Sequence, residues 1–198
     1  MSPPPAPSPF LTFARRFAGN PGQVGAITPS GPALARSMVR TLDLQAGQTC
    51  VEIGPGTGAF TGRLAARAAQ LGVRLILVER DPVFVRHLRA LHRDLEIIEG
   101  DTRDLPRLLQ ERGVGRVERI LSGLPFRSFP PELRAALAEA FGEVLTAGGL
   151  LVQFTYFTRQ PLDPECAGAA GLSGERTHFV LANVPPAFVW RYTKRHGG

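Results

Sequence analysis

Lysine is almost missing from this 198-residue chain. Lys194 is the only one, so arginine carries nearly all of the 23 basic residues that outnumber 17 acidic ones and set the formal charge at +6. Cysteine is also scarce: Cys50 and Cys166 are too few for a disulfide framework, and Cys50 lies inside an apolar, strand-like run. No zinc site is indicated. Apolar runs stay well short of the roughly 18–20 residues that span a bilayer. The proline-rich start, Met1–Pro9, has no basic region followed by an apolar one, so no export signal is expected. These absences predict a soluble protein of the reducing cytoplasm. What is present in excess, positive charge, suits an anionic partner such as nucleic acid, an acidic membrane or a phosphate-bearing substrate; arginine-rich genome composition is the alternative explanation.

The length fits one domain able to bury roughly 70% of its unfolded surface. Residues 1–7 read as a disordered proline-rich tail. Ser8 as N-cap and Pro9 at the first helical position then open a short helix that ends near Gly19. Phe10, Phe13 and Phe17 recur on one side of it, with Arg15 and Arg16 on the other. Such a helix can dock on an anionic membrane or pack on the protein's own sheet. Ser30 is expected to cap a second helix running to about Leu42.

From Thr49 the chain alternates. Strands are predicted at 49–53, 74–79, 95–98, 118–122 and 150–156, with helices near 58–71, 82–92, 104–112 and 131–145. This spacing implies a parallel sheet covered on both faces. Residues 178–183 and 188–193, linked through Pro185 and Pro186, read as an antiparallel hairpin. The fold class is therefore α/β: a doubly wound, mostly parallel seven-stranded sheet with a C-terminal hairpin. Phe157–Thr177, rich in Gly, Ala and Pro, is long for a structureless connection and is expected to be a lid or a mobile segment.

VEIGPGTGAF, residues 51–60, puts a glycine-rich turn after the first strand, at the sheet edge where doubly wound folds bind ligands. Gly54, Gly56 and Ala59 satisfy the G-x-G-x-x-A form of a dinucleotide fingerprint, so a nicotinamide or flavin enzyme is one reading. Glu52 argues for another. Its charge would oppose a pyrophosphate but suits a ligand bearing an ammonium or sulfonium. Gly58 extends the glycine pattern, and the chain has no room for a separate substrate domain, so cofactor and substrate must share one cleft.

VEIGPGTG resembles the first motif of the class I S-adenosylmethionine-dependent methyltransferases, whose fold is Rossmann-like. Glu79, closing RLILVE, matches the acidic residue that grips both ribose hydroxyls. EGD, ending in Asp101, matches the position that accepts from the adenine amino group, with the backbone of Thr102 beside it. SGLPF (122–126) matches the loop after the fourth strand that faces the methyl group. The resemblance implies S-adenosylmethionine as cofactor, S-adenosylhomocysteine as product and no metal. Its cofactor set would be Thr28, Glu52, Gly54, Gly56, Thr57, Gly58, Glu79, Arg80, Asp101, Thr102 and Ser122. On the bland readings, Glu79 is a strand-end charge, Asp101 a helix cap and Tyr156 a packing residue.

Within that superfamily two groups compete. Ribosomal RNA adenine dimethylases present Asn-Leu-Pro-Phe or Asn-Ile-Pro-Tyr after the fourth strand, where Gly123 stands here, and they carry a further helical domain. The bacterial phospholipid N-methyltransferases are more similar: VGAITPSGPALARSM (24–38), SGLPFRSFPPELR (122–134), LLVQFTY (150–156) and NVPPAFVWRY (183–192) all resemble them. That resemblance implies methylation of phosphatidylethanolamine and its mono- and dimethyl forms towards phosphatidylcholine, with an anionic membrane as partner, no nucleic acid, and a peripheral position on the inner face of the cell membrane. Ser122, Gly123, Leu124 and the Tyr156 hydroxyl are then the groups expected around the attacking amine. Arg127 and Arg159 are the candidates for a lipid phosphate. On this reading residues 8–48 form a helical membrane and substrate-docking segment, and residues 49–198 the catalytic domain. An RNA adenine N6-methyltransferase and a non-catalytic cofactor-binding regulator are the alternatives.

Overall fold

The computed structural model describes residues 31–196. The expected N-terminal helix with Phe10, Phe13, Arg15, Arg16 and Phe17 lies outside the described residues, as does Thr28. In chain order the elements are α1 (Pro32–Thr41), β1 (Thr49–Ile53), α2 (Thr61–Leu71), β2 (Arg74–Glu79), α3 (Pro82–Leu91), β3 (Glu96–Glu99), α4 (Leu105–Gln110), β4 (Val117–Ser122), α5 (Pro131–Val144), β5 (Leu145–Thr155), α6 (Pro164–Ala169), β6 (Leu172–Val180) and β7 (Ala187–Lys194). They build one seven-stranded sheet of order β3-β2-β1-β4-β5-β7-β6. The first five strands pair in parallel, and β7 is antiparallel to both β5 and β6. No described helix is long and apolar enough to cross a membrane.

The central strands are apolar on both faces because both are covered. On one side Ile53, Val78, Ile120 and Leu151 meet Leu105, Leu109, Leu137 and Phe141 from α4 and α5. On the other, Cys50, Leu77, Leu121 and Val152 meet Leu34 and Met38 of α1, Leu64 of α2, and Val85 and Leu88 of α3. Leu34, Ala35, Met38, Val39, Leu42 and Leu44 thus pack in the same core as this face of the sheet. Cys50 is wholly buried, and burial pushes its thiol well above the ordinary range.

Two expectations are revised. Gly31 occupies the N-cap of α1, in place of Ser30, and makes no side-chain cap. Its N–H donates instead to Asn183 Oδ1 at 2.7 Å, while Asn183 Nδ2 donates to the Pro185 carbonyl at 2.8 Å, tying the β6–β7 turn to the helix. The expected lid is also ordered structure. Residues 164–169 form α6, β6 begins at Leu172, and the Tyr192 hydroxyl accepts from the Leu162 N–H at 3.1 Å, with Leu162 fully buried.

Arg119 fixes the opposite, amino edge of the sheet. Its buried guanidinium donates from Nε to the Leu42 carbonyl at 2.6 Å and from Nη2 to the Asp43 carbonyl at 3.1 Å, satisfying backbone left open where α1 ends. Arg119→Ala should destabilise the protein by about 2–3 kcal/mol, the scale of hydrogen bonds from a charged donor. At this chain length that corresponds to a fall in Tm of roughly 4–12 °C. Urea and thermal unfolding of the variant, with cofactor affinity unchanged, check it.

Candidate active site

The carboxyl ends of β3, β2, β1 and β4 lie side by side in that order, so the loops after them form one continuous edge. The turn after β1 is the glycine loop. Gly54, Gly56 and Gly58 have φ of 62°, 56° and 87°, a region that side-chain-bearing residues rarely enter. Gly54 also lacks room: a Cβ there would lie 2.6 Å from Leu124 Cδ2, whereas one on Gly56 would meet nothing within 4 Å. The loop is therefore packed against the β4 loop at its base and open at its crest, where Thr57 is exposed.

Glu79 stitches the loop to β2. Its Oε2 accepts from the Gly56 N–H at 3.0 Å, and its Oε1 accepts from the N–H groups of Arg80 and Asp81 at 2.9 Å each. A carboxylate offers about four acceptor positions, so three backbone bonds leave roughly one for a ligand hydroxyl. The expected grip on both ribose hydroxyls is thus shared with the backbone. The side chain is 3% exposed, and burial raises its pKa while the Asp81, Gly56 and Arg80 N–H groups oppose the rise.

Glu52 is more deeply placed. It has no exposed surface, and neither carboxylate oxygen has a hydrogen-bond partner among the described residues; the same holds for the Thr61 hydroxyl near it. Burial pushes Glu52 up to about 8, and the Glu79 charge adds to the rise. By strand alternation and register Glu52 and Glu79 lie on the same face of the sheet.

After β3, Asp101 accepts from the Arg103 N–H at 3.0 Å and from the Arg103 guanidinium through both oxygens, also at 3.0 Å. Arg80 Nη1 is 3.7 Å away. The Arg103 hydrogen bond, chiefly, holds the Asp101 carboxyl below its ordinary value. An adenine amino group would have to share this carboxylate with Arg103. Thr102 is buried at the start of the short turn that Asp101 caps.

The β4 loop meets the glycine loop backbone to backbone. The Gly123 N–H donates to the Ile53 carbonyl at 2.8 Å, and a Cβ on Gly123 would fall 2.7 Å from the Gly54 carbonyl oxygen. No side chain fits without moving one loop. Ser122 is buried, with Oγ accepting from the Leu124 N–H at 3.3 Å. The Leu124 carbonyl is already taken by the Phe126 N–H and by Gln153 Nε2, which leaves the Gly123 carbonyl as the acceptor without a hydrogen bond among the described residues.

Gln153 was not singled out by sequence reasoning. It is fully buried, faces the same side as Ser122, its register partner, and holds the β4 loop from β5. The signal was available: one amide within the apolar run LLVQFTY. Tyr156 is half-buried in an edge-to-face row with Phe154 and Phe60, ring centroids 5.4 and 5.6 Å apart, on the side of the glycine loop. Of the two phosphate candidates, Arg159 is exposed, but Arg127 is engaged by Asp163 at 3.0 Å, and Arg134 binds the other oxygen of that carboxylate. Two guanidiniums on one carboxylate leave a net positive charge there.

The residues fit the cofactor that the resemblance implies. Glu79 keeps about one acceptor that would suit a ligand diol, the crest over Gly56 is open, and the buried Glu52 would add negative charge beneath a cationic ligand.

A family profile described as "Ribosomal RNA adenine dimethylase" matches residues 31–109. Over 149 residues the chain is 37% identical to an ornithine lipid N-methyltransferase of Singulisphaera acidiphila, spanning 74% of this chain and 77% of that protein. It is 32% identical over 106 residues to ribosomal RNA small subunit methyltransferase A of Chlamydia felis, but spans only 36% of that protein. A TehB-like S-adenosylmethionine-dependent methyltransferase from Corynebacterium glutamicum shares the fold, with TM-score 0.58 at 16% identity across 93% of this chain and 97% of that one. The fold and the glycine-loop site define a class I methyltransferase. The chain belongs to the S-adenosylmethionine-dependent methyltransferases related to the ribosomal RNA adenine dimethylases.

Glu79→Ala removes both the loop anchor and the ligand acceptor, so affinity for S-adenosylhomocysteine should fall more than tenfold, equivalent to about 1.4 kcal/mol or more. Calorimetry on the folded variant reads it; unchanged affinity would take Glu79 out of the site. Glu52 gives a pH test. Its folded pKa lies above its ordinary value of 4.5, so the folded state keeps a proton that the unfolded chain releases. The stability it contributes is complete below about pH 4.5 and is lost as pH rises through about 8, by up to about 1.4 kcal/mol per unit. Urea unfolding of the cofactor-free protein from pH 5 to 8 should show this slope flattened in Glu52→Gln, which should also be the more stable protein at pH 8.

Proposed function

We propose that this methyltransferase acts on the amine of a membrane lipid, converting phosphatidylethanolamine through its mono- and dimethyl forms towards phosphatidylcholine. The observation that carries this reading is the likeness to an ornithine lipid N-methyltransferase along three quarters of both chains. The geometry agrees with it. RNA adenine dimethylases present an Asn where Gly123 stands, and here a Cβ at that position would lie 2.7 Å from the Gly54 carbonyl oxygen. In both candidate lipids a primary amine sits close to an anionic group, so one site chemistry serves either. A peripheral position on an anionic inner membrane face follows from this reading.

When bound, S-adenosylmethionine supplies an electrophilic methyl carbon to the nitrogen lone pair. The chain's own groups prepare the amine. The unengaged Gly123 carbonyl accepts one N–H and turns the lone pair towards the glycine loop, with the Tyr156 hydroxyl as a second acceptor. An alkylammonium of lysine-like pKa costs roughly 4–5 kcal/mol to deprotonate at pH 7. The aromatic row of Phe60, Phe154 and Tyr156 offers apolar surroundings that would lower that cost by disfavouring the cation. Proximity supplies much of the rest. The positive residue of the Arg127, Arg134 and Asp163 group, with Arg159, offers a place for the lipid phosphate.

Labelled S-adenosylmethionine presented with phosphatidylethanolamine vesicles, ornithine lipid vesicles and ribosomal RNA tests the reading. Label should enter phosphatidylethanolamine, giving the mono- and dimethyl products. Label confined to ornithine lipid would keep the lipid class and replace the headgroup. Label in adenine with none in lipid would overturn the proposal in favour of the RNA family, whose profile matches residues 31–109.

A further inference from the structure

Among the described residues six large apolar side chains are exposed, and four of them, Phe157, Phe179, Leu181 and Val184, gather at one place. Register puts them together. Thr155 of β5 pairs with Phe188 of β7, which pairs with Phe179 of β6. Phe157 lies two residues beyond Thr155, and Leu181 and Val184 form the turn that follows Val180. All four stand at the carboxyl edge of the parallel strands, the edge that carries the glycine loop and the β4 loop. The base of this crest is firm: Phe179 stacks on Phe188 with centroids 4.6 Å apart, Arg176 sits 5.3 Å over the Phe188 ring, and Asn183 pins the turn to α1.

Beside the crest, between α1 and the β6–β7 turn, runs a surface groove of about 320 Å³ lined by Arg36, Ser37, Arg40, Phe179 and Leu181. Arg36 and Arg40 are exposed and make no ion pair among the described residues, and the Ser37 hydroxyl is buried without a partner. Unpaired cations next to contiguous exposed apolar groups are the composition of a surface that meets anionic headgroups and the acyl boundary beneath them. A soluble protein partner would leave these cations to be desolvated without compensation unless it carried matching acids.

We propose that the β6–β7 turn and Phe157 form a membrane-docking crest. Leu181 and Val184 enter the boundary of an anionic bilayer, while Arg36 and Arg40 hold headgroup phosphates, which turns the active-site edge towards the lipid. This deepens the lipid-amine reading and rests on it for the orientation of the substrate. The occupant is the bilayer itself.

Sedimentation of the full chain with phosphatidylglycerol–phosphatidylcholine vesicles, against phosphatidylcholine alone, tests it without any methyl transfer. Leu181→Ser with Val184→Ser should weaken partition at least about tenfold, as expected when two apolar side chains no longer leave water, with Tm and S-adenosylhomocysteine affinity kept. Arg36→Glu with Arg40→Glu, a second variant in case the first misfolds, should erase the preference for the anionic vesicles. Unchanged partition in both variants overturns the proposal. So does a wild-type dimer that the turn variant converts to monomer while vesicle binding persists, since the crest would then seat a second copy. A chain that docks through this crest yet methylates no lipid would sink the functional reading and leave the crest standing; methylation of lipid without loss of docking in the variants would do the reverse.

Discussion

The constraint on which the site depends is the meeting of two backbones, Gly54 after β1 and Gly123 after β4. The Gly123 N–H reaches the Ile53 carbonyl at 2.8 Å, and neither glycine can take a side chain without a collision. Because β1 and β4 are adjacent and parallel, this contact joins the loop that would hold the cofactor to the loop that would hold its substrate. Everything nearby serves to keep it. Glu79 ties the glycine loop to β2, and Gln153 ties the β4 loop to β5. Strand order and hydrogen bonds thus fix the two loops against each other, which would suit chemistry in which alignment matters most.

Such an arrangement carries an electrostatic cost. Glu52 and Glu79 are two acids on one buried face, and one of them, Glu52, has no partner among the described residues. A native core tolerates such a group where it serves a ligand. A cation bound near Glu52 would favour its charged form, and its binding would then be linked to the protonation of this acid.

Much of the fold was legible because its signals were local. TCVEI and RLILVE matched their strands to the residue, since apolar runs bounded by turn residues fix a buried parallel strand. The glycine loop was legible for the same reason: three glycines at fixed spacing after a strand have few other uses. What was misread depended on distant partners. Phe157–Thr177 looked like a lid because small residues and prolines suggest a loop, whereas Leu162, Ala167 and Tyr192 pack it against the sheet. The pairing of Arg127 with Asp163 was likewise not legible, since the two lie 36 positions apart. Gln153 and Asn183 were overlooked for the converse reason: each is a single amide whose worth appears only when the groups it bridges, far apart in the chain, are known.

The bond between Gly31 and Asn183 has a practical side. The backbone enters the described fold at the β6–β7 turn, on the edge that carries the glycine loop. It leaves at the other edge, where His196 lies beside Gly148 near the start of β5. The two exits point in opposite directions. A label, bead or fusion joined beyond His196 starts from the edge away from the glycine loop. Reporters of cofactor and lipid encounter therefore belong at the carboxyl end.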